Sequence, residues 1–288
     1  SLWSIGLIFL GSTLIYNDKM SLGTLIGFMV LSGYIFPLIS NIVSLGFQYP
    51  KIQISLKNVM EIYFVEKNRK NGMENFVLGS IEVRGSCSWD NRLKTFDALD
   101  LLIKDKSFCW LRGANGSGKS TLLNLIGGYI FDKQIQVKVA GKNIELINDK
   151  ELTKNIYYIG VENKLIPISL YENLTLGIER TISKEEVYNV CQEVLILKKI
   201  QSLPNGFNTI FSIDNLSFSS GEIAKLFLAR GLLIKPKIWL LDEIIANLDL
   251  ESKFLILEKL KKISNEATII LVSHDDSVKN YSDQIINI

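Results

Sequence analysis

Residues 113–120 read Gly-Ala-Asn-Gly-Ser-Gly-Lys-Ser, and this stretch decides the fold. It follows an apolar run at residues 108–111 and precedes a run with helical character at residues 121–126. A strand, a glycine-rich loop and a helix in this order are typical of a loop that binds phosphate groups. Glycines let consecutive backbone N–H groups turn toward phosphate oxygens, and the helix start adds the positive end of its dipole. The sequence therefore predicts an α/β domain with a phosphate-binding P-loop.

Two side chains of the loop carry the chemistry. Lys119 is expected to reach the β- and γ-phosphates of a nucleotide, and the Ser120 hydroxyl is expected to ligate Mg²⁺. The alternative is a glycine-rich turn without a ligand, which the flanking strand and helix disfavour. The residues predicted to contact the nucleotide in this segment are Gly113, Asn115, Gly116, Ser117, Gly118, Lys119, Ser120 and Thr121.

A second acidic strand is predicted at residues 238–243, which read Ile-Trp-Leu-Leu-Asp-Glu. Sites of α/β proteins form at the carboxyl ends of such buried strands. Asp242 is predicted to lie in the coordination shell of Mg²⁺. Glu243 is predicted to polarise a water for attack on the γ-phosphate. An apolar strand that ends in Asp-Glu is common by itself. Its assignment to a nucleotide site depends on the P-loop motif in the same chain.

His274 is the sole histidine of the chain and follows a third apolar run at residues 268–272. A lone histidine is more often structural or simply exposed. After a third strand, however, a neutral imidazole can both donate and accept a hydrogen bond near a γ-phosphate. His274 is therefore a candidate γ-phosphate sensor.

Composition narrows the class of protein. The 288 residues allow one or two domains, and 32 Lys and Arg against 30 Asp and Glu leave a net charge of +2. This balance argues against nucleic acid as a partner. An apolar fraction of 47% excludes a disordered chain. Cys87, Cys109 and Cys191 lie far apart without a CxxC pattern, so neither a disulfide framework nor a zinc site is indicated.

The first fifty residues differ from the rest, because Asp18 and Lys19 are the only charged residues among them. Residues 20–50 form an uncharged run, longer than the roughly 20 residues that cross a bilayer core, and residues 1–17 form another. We expect a transmembrane helical hairpin within residues 1–65 and a nucleotide-binding domain within residues 66–288. The alternative is a buried hairpin of a soluble protein. The chain begins with Ser1, so upstream spans are expected to precede it.

These motifs resemble those of ATP-binding cassette (ABC) transporters of the exporter type, and the likeness covers nearly the whole chain. Residues 218–222, Phe-Ser-Ser-Gly-Glu, resemble the family's signature motif, and Ser219 lies 23 residues before Asp242 as in the family. The resemblance implies that Ser219 and Gly221 contact the γ-phosphate held by another copy's P-loop. It also implies a D-loop at residues 246–249, which includes Asp249.

The resemblance places Trp89 where the family has an aromatic residue that stacks on adenine, although ordinary packing of Trp89 stays open. Some positions depart from the family pattern. Val161 falls where a glutamine normally contacts Mg²⁺ and reports to the membrane domain, with Glu162 beside it. Ser220 and Glu222 replace the commoner Gly and Gln of the signature. These departures bear on hydrolysis and coupling more than on ATP binding.

The resemblance implies a P-loop NTPase domain of the ABC type, with a mixed sheet core and a helical subdomain, preceded by a transmembrane hairpin. Its implied function is an ATP hydrolase, with ATP and Mg²⁺, that drives a cell-membrane exporter of the bacteriocin or peptide type. The expected partners are a second copy of the chain or a paralogous subunit, the lipid bilayer, and a transported substrate such as a peptide. The protein would be multi-pass, with the nucleotide-binding domain in the cytoplasm.

Two alternatives stay open at this stage. One is a degenerate subunit of a heterodimeric transporter that binds ATP but hydrolyses it poorly, an idea motivated by Val161. The other is a soluble ABC ATPase that takes no part in transport. The apolar N-terminal runs disfavour the second alternative.

Overall fold

The computed structural model describes residues 2–68, 72–90, 93–160, 163–211 and 218–288. The chain divides into two compact units, Ser1–Arg69 and Lys70–Ile288, and each is described by itself. Val161, Glu162 and the segment 212–217, which precedes the expected signature, lie outside the described residues.

The first unit is built from two helices, α1 (Leu2–Tyr16) and α2 (Leu22–Asn68). In the part of the chain that the structure describes, one helix is long and apolar enough to cross a bilayer, over Leu22–Asn41, with a mean hydropathy of 1.9. The 15 residues of α1 rise only about 22 Å, less than a hydrocarbon core of about 30 Å. The second span of the expected hairpin therefore stays a prediction.

The two helices touch where Gly11 faces Leu25. A Cβ at residue 11 would lie 2.2 Å from Leu25 Cδ1, and Leu25 is buried. Most other apolar side chains of Leu22–Asn41 are exposed, since only 6% of that window is buried. A helix with such an apolar surface suits a lipid environment.

The second unit contains nine strands among its described residues, and each of the three apolar runs named above lies within one of them. In chain order they are β1 (Ile81–Asp90), β2 (Leu93–Ile103), β3 (Phe108–Arg112), β4 (Ile135–Val139), β5 (Lys142–Asn143), β6 (Ile156–Ile159), β7 (Ile238–Asp242), β8 (Thr268–Val272) and β9 (Gln284–Asn287).

The strands form two sheets. The antiparallel sheet has the order β2-β1-β4-β5, and the parallel sheet has the order β6-β7-β8-β3-β9. In the parallel sheet Leu111 pairs with Val272, and Val272 pairs with Asp242. The strands β3, β7 and β8 thus end at the same level, so the loops that follow them meet at one edge.

Both faces of the parallel sheet are covered, one by helices and the other by a helix together with the antiparallel sheet, which explains why its central strands are continuous apolar runs rather than alternating ones. Cys109 and Leu111 of β3 point into a core shared with the antiparallel sheet. Phe108 and Trp110 point into the opposite core. The remaining helices are α3 (Lys119–Ile126), α4 (Asp149–Asn155), α5 (Leu170–Thr175), α6 (Lys184–Glu193), α7 (Leu197–Gln201), α8 (Ser220–Ile234) and α9 (Leu250–Ile263).

The helices α5, α6, α7 and α8 pack on one another and form a helical subdomain between β6 and β7 in the sequence. The prediction of a mixed sheet core with a helical subdomain is confirmed, with the two strand directions segregated into separate sheets.

Candidate functional site

The glycine-rich loop joins the buried strand β3 to the N-terminus of α3. Gly118 is the N-cap of α3 with a left-handed φ of 92°, and no side chain caps this end. The first-turn N–H groups of a helix have no intrahelical acceptor, and they carry the positive end of the helix dipole. The start of α3 at Lys119 is therefore free to bind an anion.

The loop packs closely against its own chain and leaves polar groups that suit phosphate. A Cβ at residue 113 would lie 2.3 Å from the Ile288 backbone oxygen and 2.7 Å from Ser117 Oγ, so only glycine fits there. Ser117 Oγ is buried and has no hydrogen-bond partner among the described residues. Lys119 Nζ donates to the Gly113 and Ala114 oxygens at 2.9 and 2.8 Å. An uncapped helix start, an unpartnered hydroxyl and an inward-facing ammonium together suit a polyphosphate.

Asp242 is the last residue of β7 and is 6% exposed. Its Oδ2 accepts a hydrogen bond from the Tyr158 hydroxyl at 3.2 Å. The described residues contain no group of three or more His, Cys, Asp or Glu that could hold a metal. Mg²⁺ usually uses one or two carboxylates together with phosphate oxygens and water. The Asp242 carboxylate together with the Ser120 hydroxyl therefore fits Mg²⁺ bound with a nucleotide. Asp242 and Ser120 are the residues that would hold it.

Glu243 and His274 meet at the edge that carries the loop. The backbone N–H of Glu243, whose φ is 55°, donates to the Val272 oxygen at 3.1 Å. His274 Nε2 lies 3.3 Å from Glu243 Oε1. Burial raises the pKa of Glu243; the nearby His274 works in the opposite direction but more weakly. A carboxylate with a raised pKa beside an imidazole is suited to accept a proton.

Side chains outside the predicted motifs fix the segment around His274. Trp110 Nε1 donates to the Ser273 backbone oxygen at 2.9 Å, and the Asp275 N–H donates to Ser273 Oγ at 3.0 Å. Lys253 Nζ lies 2.5 Å from Asp275 Oδ2, and its hydrogen bond lowers the pKa of Asp275 to about 2. The sequence around Trp110 does not name Ser273 as the acceptor, because the two residues meet only through the order of the strands.

The segment that resembles the signature motif opens α8. Ser219 is its N-cap, and its hydroxyl accepts from the Glu222 N–H at 3.1 Å. Glu222 returns a bond, since its carboxylate accepts from the Ser219 N–H at 2.8 Å. This reciprocal pair is a capping box, which the Ser-x-x-Glu pattern signals in the sequence. Ser219 is exposed, so its side of the helix start faces solvent.

Asp249 has partners inside the chain. It is the N-cap of α9 and accepts from the Ser252 N–H and hydroxyl at 2.9 and 2.7 Å, and from Lys225 Nζ at 3.2 Å. These interactions, with those from Ser252 the largest, hold the pKa of Asp249 well below its ordinary value. A nucleotide contact by Asp249 stays a prediction.

The structure brings part of the predicted site together. The P-loop, Asp242, Glu243 and His274 share the carboxyl edge of the parallel sheet. The described hydrogen bonds and ion pairs do not join Ser219 or Asp249 to the P-loop of the same chain. The side chain of Trp89, which belongs to β1, lies outside the described part, so its adenine contact stays a prediction.

Known proteins share this sequence pattern. The sequence model of the family described as ABC transporter matches residues 96–246, just over half of the chain. The Lactococcin-A transport/processing ATP-binding protein of Lactococcus lactis subsp. lactis is 29% identical over 98% of this chain and 40% of its own length. The Alpha-hemolysin translocation ATP-binding protein of Escherichia coli O157:H7 is 26% identical over 97% of this chain and 40% of its own length. The chain thus spans about two fifths of these relatives.

A solved structure shares the fold. The bacterial Atm1-family ABC exporter with ATP bound superposes with a TM-score of 0.70 at 20% identity. The match covers 100% of this chain and 53% of the solved chain.

Proposed function

The chain belongs to the ABC transporter family, and from that premise we propose that residues 66–288 bind and hydrolyse ATP as the motor of a membrane exporter. The observation that carries the proposal is the 3.3 Å approach of His274 Nε2 to Glu243 Oε1 at the edge that bears the P-loop. A site that only bound nucleotide would need the amide loop but not this pair.

In the proposed reaction, a water oxygen attacks the γ-phosphorus of ATP, and the bond from that phosphorus to the bridging oxygen of ADP breaks. Glu243 accepts a proton of the attacking water, for which its raised pKa suits it. His274, whose Nε2 lies 3.3 Å from Glu243 Oε1, orients the Glu243 carboxylate at the same sheet edge. Mg²⁺ held through Asp242 and Ser120 would offset negative charge on the phosphates. Lys119 and the first-turn N–H groups of α3 stabilise the same charge from the loop.

A second subunit is part of the proposal. Ser219 and Gly221 stand at the start of a 15-residue helix whose N–H groups can face a phosphate of another chain. The sequence offers one P-loop and one signature segment, so two chains would together complete two sites. The proposed partner is a second copy of this chain or a paralogous subunit.

The first unit is proposed to lie in the cell membrane as part of a multi-pass domain, with residues 66–288 in the cytoplasm. The exposed apolar surface of Leu22–Asn41 supports a lipid contact. The relatives named above are called transport or translocation proteins for lactococcin-A and alpha-hemolysin. We therefore propose a polypeptide as the transported substrate.

The test is phosphate release by the full chain in lipid nanodiscs with saturating Mg²⁺ and ATP. We expect the parent to hydrolyse ATP and Glu243→Gln to bind ATP without turnover. Glu266→Gln, an exposed carboxylate after α9, serves as the matched control and should behave as the parent. A parent that binds ATP and releases no phosphate would instead support the non-hydrolysing subunit. Turnover by Glu243→Gln at the parent's rate would contradict the assigned role.

A further inference from the structure

Tyr158 stands beside the acidic strand and has no role in the motifs described so far. It lies on the edge strand β6, where it pairs with Leu240 of β7. Its hydroxyl donates to Asp242 Oδ2 at 3.2 Å, from two residues further back along the sheet. Asp242 is 6% exposed, and a buried carboxylate needs hydrogen-bond donors. Tyr158 supplies one.

The packing around Tyr158 fixes the position of its hydroxyl. A Cβ at residue 160 would lie 2.4 Å from the Tyr158 hydroxyl oxygen, so Gly160 leaves room that any other residue would take. The ring meets Tyr129 edge to face, with centroids 5.9 Å apart. Tyr129 follows the C-terminus of α3, the helix that the P-loop opens. The hydroxyl is thus held between the P-loop helix and the acidic strand.

We propose that Tyr158 is a positioning residue that orients the Asp242 carboxylate toward Mg²⁺. The inference rests on the proposed function of the site. A hydrogen bond to Oδ2 fixes the rotation of the carboxylate and leaves its other lone pairs for the metal and its waters.

The neighbouring Tyr157 offers a matched control. It belongs to the same strand but faces the opposite core, where its hydroxyl donates to the Phe227 oxygen at 3.1 Å. Its ring meets Trp239 edge to face at 6.0 Å. Tyr157→Phe and Tyr158→Phe each remove one hydroxyl that donates one hydrogen bond, and only the second bond ends on Asp242.

The experiment titrates Mn²⁺, followed by its electron paramagnetic resonance signal, into the full chain with saturating ATP. All variants carry Glu243→Gln so that ATP is not consumed. We expect Tyr158→Phe to weaken Mn²⁺ binding by on the order of tenfold, as is usual when a hydrogen-bond partner of a metal ligand is removed. ATP binding in the presence of EDTA should stay unchanged in Tyr158→Phe, which also reports that the variant is folded. Tyr157→Phe should change neither quantity.

A second readout uses chains with Glu243 intact. Raising the Mg²⁺ concentration should restore most of the turnover that Tyr158→Phe loses. The inference is overturned if Tyr158→Phe binds Mn²⁺ as the parent does, or if both tyrosine variants weaken Mn²⁺ binding equally. A parent that binds no ATP overturns the proposed function together with this inference, whereas a parent that binds Mn²⁺ and ATP with an unaffected Tyr158→Phe overturns the inference alone.

Discussion

Gly221 lies directly against the backbone oxygen of Asn247, since a Cβ at residue 221 would approach that oxygen to 2.4 Å. Gly221 belongs to the first turn of α8, and Asn247 belongs to the loop that leads from Glu243 to α9. The segment that resembles the signature motif and the loop that resembles the D-loop therefore touch inside one chain. A shift of one must move the other.

The contact predicts that Gly221→Ala destabilises the second unit. The methyl group would meet backbone rather than a side chain that can rotate away, and overpacking of this kind costs about 1 to 3 kcal/mol. Chemical denaturation should show the lower free energy of unfolding, and phosphate release should fall with it. Ser220→Ala, at the exposed neighbouring position, is the control and should retain both properties. An equal denaturation midpoint for Gly221→Ala and the parent would show that the loop containing Asn247 can move aside without loss of stability.

Substitution of Lys119 is predicted to weaken nucleotide binding. Its ammonium donates to two loop carbonyls and stays inside the loop, where the phosphates are proposed to bind. Lys119→Met keeps the aliphatic length but removes the charge, and bonds to charged groups are worth about 1.5 to 3 kcal/mol. We expect affinity for a fluorescent ATP analogue to fall at least about tenfold.

Lys133→Met, at an exposed position before β4, is the control for Lys119 and should bind the analogue as the parent does. If Lys119→Met retained the parent's affinity, the proposed phosphate site would be wrong.

The raised pKa of Glu243 predicts a pH-dependent stability. Burial favours the protonated form in the folded chain, so the folded state binds more protons than the unfolded state at pH values between the ordinary 4.5 and the raised folded pKa. The free-energy penalty is absent below pH 4.5, grows as pH rises from 4.5 to the folded pKa, and is complete above it. Glu243→Gln removes the charge, so its stability advantage over the parent should be larger at pH 7.5 than at pH 4.5.

Denaturation of the nucleotide-free parent and Glu243→Gln at both pH values measures that difference. Glu266→Gln, which changes an exposed carboxylate, should show no such trend. An advantage of Glu243→Gln that is independent of pH would mean that the Glu243 pKa is not raised.

The lowered pKa of Asp249 predicts the opposite dependence of folding stability on pH. Its carboxylate caps α9 and is held charged by Ser252 and Lys225, so its contribution is present above the ordinary pKa of 3.8 and is lost as pH falls through the lower folded value. Asp249→Ala should lower the free energy of unfolding by about 1 kcal/mol at neutral pH. Glu258→Ala, on the exposed side of the same helix, should have little effect. If Asp249→Ala lowered the free energy of unfolding by the same amount at acidic pH as at neutral pH, the stabilising role of the charged carboxylate would be contradicted.

The local part of this structure is readable from the sequence. The apolar runs at residues 108–111, 238–241 and 268–272 lie in β3, β7 and β8, because runs of about four to eight residues bounded by polar residues or glycine are long enough for a buried strand and short for a helix. The loop at residues 113–118 follows from its glycines. These elements place the P-loop, Glu243 and His274 at one sheet edge, which the parallel order of the strands explains.

The hydrogen bonds between residues far apart in the chain could not be predicted from the sequence. Tyr158 and Trp110 look like ordinary strand residues, and nothing near them in the sequence names Asp242 or Ser273 as partners. Their hydrogen bonds depend on strand order, which is set by packing of residues far apart in the chain. The cap at Ser219 is an intermediate case, since the Ser-x-x-Glu pattern of residues 219–222 is a local signal of a helix start.

Trp110 and Trp239 provide a matched pair for the last prediction. Both indoles are almost fully buried in the same core, on β3 and β7, which flank β8 in the parallel sheet. Trp110 Nε1 donates to the Ser273 oxygen, whereas Trp239 Nε1 has no hydrogen-bond partner among the described residues. Replacement by phenylalanine removes a similar volume from each site, but only Trp110→Phe leaves a buried carbonyl without its donor.

We expect Trp110→Phe to lower the free energy of unfolding by about 1 to 3 kcal/mol more than Trp239→Phe does, because that is the cost of an unsatisfied buried polar group. Since Ser273 directly precedes His274, Trp110→Phe should also reduce the rate of ATP turnover while leaving the affinity for ATP close to that of the parent. Trp239→Phe should leave that rate closer to the parent's. Parallel measurements of denaturation, ATP binding and phosphate release on the two variants decide the matter. Equal losses of turnover in both variants would show that core volume, and not the bond to Ser273, holds His274 beside Glu243.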